Sequence, residues 1–105
     1  MIAFENIPHY LLETWKKLAE ARAQWEFLDE MRKVVLAWEM NQHLTSEAGR
    51  DRIARSSEVY IKHLEAVRIA RQTMLEYTTE YEALQARFEW YRTQNANSRA
   101  EISIR

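Results

Sequence analysis

The chain has 105 residues, of which 30% are charged and 47% are hydrophobic, and its formal net charge is −1. This balance is typical of amphipathic helices and is too hydrophobic for intrinsic disorder. One Gly and one Pro leave almost no turn chemistry, so the composition predicts a single all-α domain without a sheet. The absence of Cys excludes disulfides and cysteine nucleophiles.

The N-terminal residues and the hydropathy pattern indicate where in the cell the protein is expected. No stretch approaches the roughly 18 consecutive apolar residues that a membrane span needs. Residues 1–5 lack the basic and apolar blocks of a signal peptide. We therefore expect a cytoplasmic protein that does not contact a membrane.

The first predicted helix covers about residues 8–41. Asn6 is suited to cap its free amides, and Pro8 is tolerated in its first turn. Apolar side chains then recur at three- and four-residue steps: Leu11, Trp15, Leu18, Ala21, Trp25, Leu28, Met31, Val35 and Trp38. This spacing predicts one buried stripe, which Phe27 and Val34 widen.

A short turn at about 42–45 precedes the second predicted helix, which covers about 46–95. Thr45 or Ser46 is suited to cap the second helix, with Glu47 favourable in its first turn. Two long helices joined by so short a turn are expected to fold back as an antiparallel αα-hairpin.

The second helix carries a heptad repeat. With Ile53 at position a, the a positions are Ile53, Tyr60, Val67, Met74, Tyr81 and Phe88. The d positions are Ser56, His63, Ala70, Tyr77, Leu84 and Tyr91. A repeat held over six heptads predicts a left-handed coiled coil.

Several features predict assembly into a dimer or larger helical bundle. The first helix is too short to cover the far end of the second, and a two-helix hairpin buries little surface by itself. The candidate oligomer interface comprises Ile61, Ile69, Leu75, Tyr81, Phe88, Trp90 and Tyr91. The alternative is that the off-seam side chains only widen one apolar face.

The last residues, 98–105, are predicted to form a C-terminal tail. Asn95, Asn97 and Ser98 favour fraying of the helix, and apolar and polar side chains alternate from Glu101 onward. A loose end and a short strand added to a partner are both compatible with this pattern.

No residue pattern indicates catalysis. The Glu-x-x-His spacing of helical di-metal sites is absent, and no serine lies in a glycine elbow beside a base. Gly49 is the only glycine, which excludes a phosphate-cradling glycine loop. We expect no enzyme activity, cofactor, metal or small-molecule substrate.

Arginines cluster at both ends of the second helix, with Arg50, Arg52 and Arg55 at its start and Arg92 and Arg99 near its end. Cations in the first turns oppose the helix dipole unless an anion or an acidic partner is present. A phosphate or acidic protein contact is one interpretation. Ordinary surface ion pairs, worth at most about 1 kcal/mol each, are the other.

Charge is distributed in blocks along the chain. Residues 1–49 carry a net charge of −3, 50–71 of +3, 72–90 of −3 and 91–105 of +2. Such blocks suit pairing between like chains, where a basic block faces an acidic one. The slight net acidity fits poorly with a DNA mimic or a dedicated nucleic-acid binder.

Two segments of the second helix carry a family resemblance. They are Gly49-Arg50-Asp51-Arg52-Ile53-Ala54-Arg55-Ser56-Ser57 with Tyr60, and Ala86-Arg87-Phe88-Glu89-Trp90-Tyr91-Arg92-Thr93 followed by Asn95-Ala96-Asn97. Residues 45–105 resemble small helical proteins of tailed bacteriophages and prophages, often encoded near recombination or replication genes. The resemblance implies no established activity or site residues.

The resemblance implies a bacterial host cytoplasm as the setting and leaves three functions open. The first is an accessory factor for phage recombination or replication that acts by protein contact. The second is an inhibitor of a host nuclease or defence complex. The third is a purely structural packing protein, and an accessory protein that binds single-stranded nucleic acid is an alternative form of the first.

Overall fold

The protein is all-helical in the computed structural model, which describes residues 3–104 with side-chain detail up to residue 102. A 3₁₀ turn, Phe4–Asn6, leads into α1 (Ile7–Met40), which is followed by α2 (Glu47–Arg55) and α3 (Glu58–Ile104). Helices account for 91% of this part of the chain, and no strand occurs in it. The all-α prediction is confirmed.

The chain divides into two compact units. The first combines residues up to Ala19 with those from Glu76 onward, and the second comprises Glu20–Leu75. In the first unit the buried residues are Ile7, Thr14, Leu18 and Leu84. The ring of Phe4 stacks on Phe88 with centroids 5.6 Å apart, so the 3₁₀ turn lies against α3 there.

The second unit contains most of α1, all of α2 and the start of α3. Its buried residues are Ala54, Tyr60 and Met74. His63 in α3 contacts the backbone carbonyl oxygen of Leu28 in α1, with a distance of 2.7 Å between Nε2 and oxygen. His63, at a d position of the predicted heptad, therefore links α3 to α1 through this hydrogen bond.

The second predicted helix, whose continuity the sequence leaves open, is broken at Ser56 and Ser57, between the end of α2 and the start of α3. The Ser56 hydroxyl donates to the carbonyl oxygens of Arg52 and Ile53 at 3.1 Å. These side-chain hydrogen bonds compete with the helical backbone ladder. Ser57 then accepts a hydrogen bond from the Tyr60 amide at 3.2 Å and thereby caps α3.

Burial along α3 follows the predicted heptad from Tyr60 onward. Every a and d position from Tyr60 to Tyr91 is buried or half-buried, whereas most other positions of that stretch are exposed. The first heptad does not follow it, because Ile53 and Ser56 are exposed and precede the break between the helices. The buried seam therefore begins at Tyr60.

The turn before α2 agrees with its expected capping. Residues 41–46 are non-helical, and the Ser46 hydroxyl accepts a hydrogen bond from the Gly49 amide at 3.2 Å. Gly49, in the first turn of α2, suits its position because a Cβ there would lie only 3.0 Å from Thr45 Oγ1 and 3.2 Å from Ser46 Oγ.

α3 continues to Ile104, so the predicted end of the second helix near residue 95 is wrong. Asn95, Asn97 and Ser98 are weak helix formers, but no Gly or Pro follows them to stop the helix. Of the predicted 98–105 tail, Arg105 lies outside the described residues. Within those residues, no helix combines the length and apolar character needed to cross a bilayer.

Candidate interaction surface

An exposed apolar surface runs along α1 in the second unit. We call it the α1 stripe, and it consists of Phe27, Met31, Val34 and Trp38. Phe27 is 59% exposed, Val34 55% and Trp38 65%. The positions i, i+4, i+7 and i+11 share one face of an α-helix, so these side chains form a continuous surface.

The apolar spacing of the first helix predicts that these side chains lie in a buried stripe, and that prediction is wrong for Phe27, Val34 and Trp38. Steps of three and four residues that average less than 3.6 rotate a stripe gradually around the helix. Trp38 lies 13 residues after the half-buried Trp25, about 140° around the helix from it. Measuring this drift would have separated the buried face from the exposed one.

The predicted interface residues on α3 fall into two groups. Ile61, Ile69, Leu75 and Trp90 are exposed. Tyr81, Phe88 and Tyr91 are half-buried in the first unit.

The far end of α3 was expected to require a second copy as its cover, but Phe4 of the same chain contributes cover there. Its ring lies 5.6 Å from the Phe88 ring and 5.5 Å from the Tyr91 ring, measured between centroids. Sequence reasoning missed this contact because Phe4 precedes the predicted start of the first helix. The exposed Trp90 packs edge-on against Tyr91, with centroids 5.0 Å apart.

Only part of the arginine cluster in α2 is available to a ligand. Arg55 donates from Nε to both carboxylate oxygens of Asp51 at 2.9 Å. That hydrogen bond, more than the accompanying charge attraction, raises the pKa of Arg55. Arg50 is half-buried and its Nε has no hydrogen-bond partner, whereas Arg52 is exposed.

The arginines near the end of α3 lie beside Phe4. Arg92 donates to Glu89 at 3.1 Å, and its guanidinium carbon lies 5.9 Å from the centroid of the Phe88 ring. An open cavity of about 220 Å³ is lined by Phe4, Arg92, Asn95, Ala96 and Arg99. This cavity brings two predicted phosphate contacts, Arg92 and Arg99, together with an aromatic ring.

We compared the chain with known proteins. Models of protein families, curated proteins and solved structures gave no match.

Histidine and carboxylate side chains do not converge on a metal site in the described part of the chain. His9 contacts Glu13, with 3.3 Å between Nε2 and the carboxylate oxygen, and both side chains are largely exposed. This contact is an ordinary surface pair one helical turn apart.

Charge is unequally divided within the second unit. Residues 20–49, which comprise the α1 part, the following turn and the start of α2, carry six acidic and three basic side chains. Residues 50–75 carry three acidic and six basic ones. Three ion pairs in residues 50–75 link neighbours on the same helix: Arg55 with Asp51, Lys62 with Glu58 and Arg68 with Glu65. Within the described chain, Glu20, Glu30 and Arg71 form no ion pair.

Proposed function

We propose that the protein is a non-enzymatic helical interaction module that acts by protein contact and associates first with further copies of itself. The α1 stripe carries this proposal, because three large apolar side chains on one face are more than half exposed. Burying apolar surface is worth about 25 cal/mol per Å², and contiguous apolar patches on soluble proteins commonly mark interaction sites.

The protomer in this proposal is an antiparallel helical hairpin within a dimer or larger bundle. Two contacts support it, each inside one compact unit. Phe4, before α1, lies against Phe88 late in α3, and Leu28, well inside α1, contacts His63 early in α3. The contact that lies earlier on the α1 side thus lies later on α3, and the contact that lies later on α1 lies earlier on α3. This is the pattern of two antiparallel helices.

The biological setting that we propose is a bacterial cytoplasm during phage infection, with the protein as an accessory factor for recombination or replication. This setting rests on the sequence resemblance alone. Inhibition of a host nuclease or defence complex is the competing proposal from the same resemblance. A pull-down from uninfected host lysate separates the two, since only an inhibitor should retain a stoichiometric host complex.

Light scattering after size exclusion tests the interaction module. We expect a mass that is a multiple of 12.6 kDa for the native chain. The double variant F27S/W38S should shift the mass toward that of the monomer, because it removes apolar surface from the α1 stripe. L44S is the matched control, since Leu44 is fully exposed outside the stripe. A native chain that elutes as a monomer contradicts the proposal.

Binding of single-stranded nucleic acid is a second candidate function, favoured by the cavity beside Phe4. Guanidinium groups at Arg92 and Arg99 are suited to hold backbone phosphates. Fluorescence anisotropy with labelled single-stranded DNA over a salt series tests this function. R92A/R99A should weaken binding and reduce its salt dependence, whereas R22A should not. Absence of binding at low salt rules the candidate out.

A further inference from the structure

We infer that the α1 stripe of one copy receives a defined surface on α3 of a second copy. That surface, the α3 stripe, consists of Ile61, Leu64, Arg68 and Arg71, which share one helical face at steps of three and four residues. The inference rests on the proposed self-association and names the partner surface. It also moves the contact onto α1, which sequence reasoning left out of the interface.

The spacing of apolar and charged side chains matches between the two stripes. On α1, Glu20 precedes Phe27 by seven residues, and on α3, Arg71 follows Leu64 by seven residues. An antiparallel pairing with Phe27 on Leu64 therefore brings Glu20 beside Arg71. In the same register Met31 falls within one residue of Ile61, so apolar surface is covered on both helices.

The same two helices already pack in this register inside the second unit. Leu28 contacts His63 there, and in the intermolecular pairing Phe27 meets Leu64. The proposed intermolecular pairing therefore uses, on the exposed faces of α1 and α3, the register of the Leu28 to His63 contact. A second copy therefore supplies a partner whose helix has the required length, direction and side-chain spacing.

Charge complementarity indicates a like chain as the occupant. Neither Glu20 nor Arg71 forms an ion pair within the described residues, and both are exposed. Two α1 stripes facing each other in parallel would set Glu20 of one copy against Glu20 of the other, with like charges opposed. Pairing of α1 with α3 instead sets the acidic segment against the basic one.

The area of one contact indicates how the copies assemble. A stable interface buries about 800 Å² on each partner with roughly 20–30 residues a side, and each stripe contributes only four residues. Each copy carries both stripes, so pairing α1 with α3 allows two such contacts per chain. Contacts between unlike surfaces close into rings or continue into longer assemblies.

Charge reversal with rescue tests this pairing by sedimentation velocity. E20R and R71E should each weaken self-association at least about tenfold, because each sets like charges against each other. The double variant E20R/R71E restores opposite charges and should return to within about threefold of the native dissociation constant. E26R and R22E are the matched controls, since both positions lie on α1 away from the stripe. Circular dichroism confirms that each variant stays helical.

The outcomes separate this inference from the function on which it rests. Loss with each single reversal, recovery in the double variant and unchanged controls support the α1 to α3 pairing. Two results would overturn the α1 to α3 pairing: self-association that is unchanged by E20R and R71E, or self-association that is weakened by each single variant and not restored in the double variant. Neither result contradicts the proposed interaction module. A native chain that stays monomeric overturns both.

Discussion

His63 in α3 donates a hydrogen bond from Nε2 to the backbone carbonyl oxygen of Leu28 in α1 over 2.7 Å. A carbonyl oxygen only accepts, so the imidazole carries its proton on Nε2 in this contact. The two residues are 35 positions apart, and the contact therefore fixes the register of two helices rather than a local turn.

Replacing His63 with alanine should destabilise the fold. The variant loses a half-buried hydrogen bond and packing volume at a d position, and we expect a loss of about 1–3 kcal/mol. Urea unfolding at fixed protein concentration measures it. H9A is the control, because His9 lies exposed on the surface, and it should stay within about 0.5 kcal/mol of the native chain. Equal effects of the two substitutions would contradict the role of the Leu28 contact.

Removal of the Phe4 ring should loosen the first unit. Phe4 contacts both Phe88 and Tyr91, so we expect F4A to lower the free energy of unfolding by about 1–3 kcal/mol. E5A, which changes an exposed neighbour, is the control. Hydrogen exchange should show faster exchange of α3 amides around Phe88 in F4A alone. Unchanged exchange there would show that the ring contact contributes nothing to the stability of the end of α3.

Ser57 should contribute more to stability than Ser98. Its hydroxyl accepts from the Tyr60 amide and donates to the Ala54 carbonyl oxygen at 2.7 Å. We expect S57A to cost about 1 kcal/mol through loss of the α3 cap. Ser98 is exposed within α3, and S98A should be neutral or slightly stabilising, since Ala is the better helix former. Thermal unfolding followed by circular dichroism compares the two variants.

Gly49 and Thr45 should be energetically coupled. Alanine in place of glycine inside a helix gains about 1 kcal/mol in helix propensity. In the native chain the new Cβ would lie 3.0 Å from Thr45 Oγ1, so G49A should gain less than this. In the T45A background the closest obstruction is removed and only Ser46 Oγ at 3.2 Å remains, so more of the gain should appear. A double-mutant cycle by chemical unfolding measures the coupling, and strictly additive effects would contradict it.

Glu65 should titrate below its ordinary pKa of 4.5. The hydrogen bond from Arg68 is the main cause of this lowered pKa, with the charge of Arg68 adding to it. A lowered folded-state pKa contributes stability above about pH 4.5 that is lost as the pH falls through the lowered value. NMR titration of the Glu65 side-chain carbonyl should show the pKa rising toward 4.5 in R68A. Identical titration curves of Glu65 in the native chain and in R68A would contradict the ion pair between Arg68 and Glu65.

The sequence predicted the buried face of α3 well and the exposed face of α1 poorly, for a physical reason. From Tyr60 to Tyr91 the apolar spacing is uniform at seven residues, so one seam faces inward throughout. In the first helix the spacing varies between three and four residues, and each local step looks correct while the face rotates. Trp38 thus appeared to be a core residue although it is 65% exposed.

The break between α2 and α3 and the position of Phe4 depend on contacts that the spacing of apolar residues does not predict. Ser56 and Ser57 are compatible with a helix interior, and the break between α2 and α3 follows from where their hydroxyl groups donate. Phe4 lies before the predicted helix, so its position on Phe88 depends on the three-dimensional path of the chain. The candidate interaction surface was likewise visible only once burial separated Phe27 and Val34 from the half-buried Trp25.

Sedimentation equilibrium of the unmodified chain over a range of concentrations tests self-association most directly. We predict an apparent mass well above 12.6 kDa. This mass should decrease on dilution, because the contacts between α1 of one copy and α3 of another dissociate. A mass of 12.6 kDa at every concentration, including the highest that stays in solution, would contradict the account.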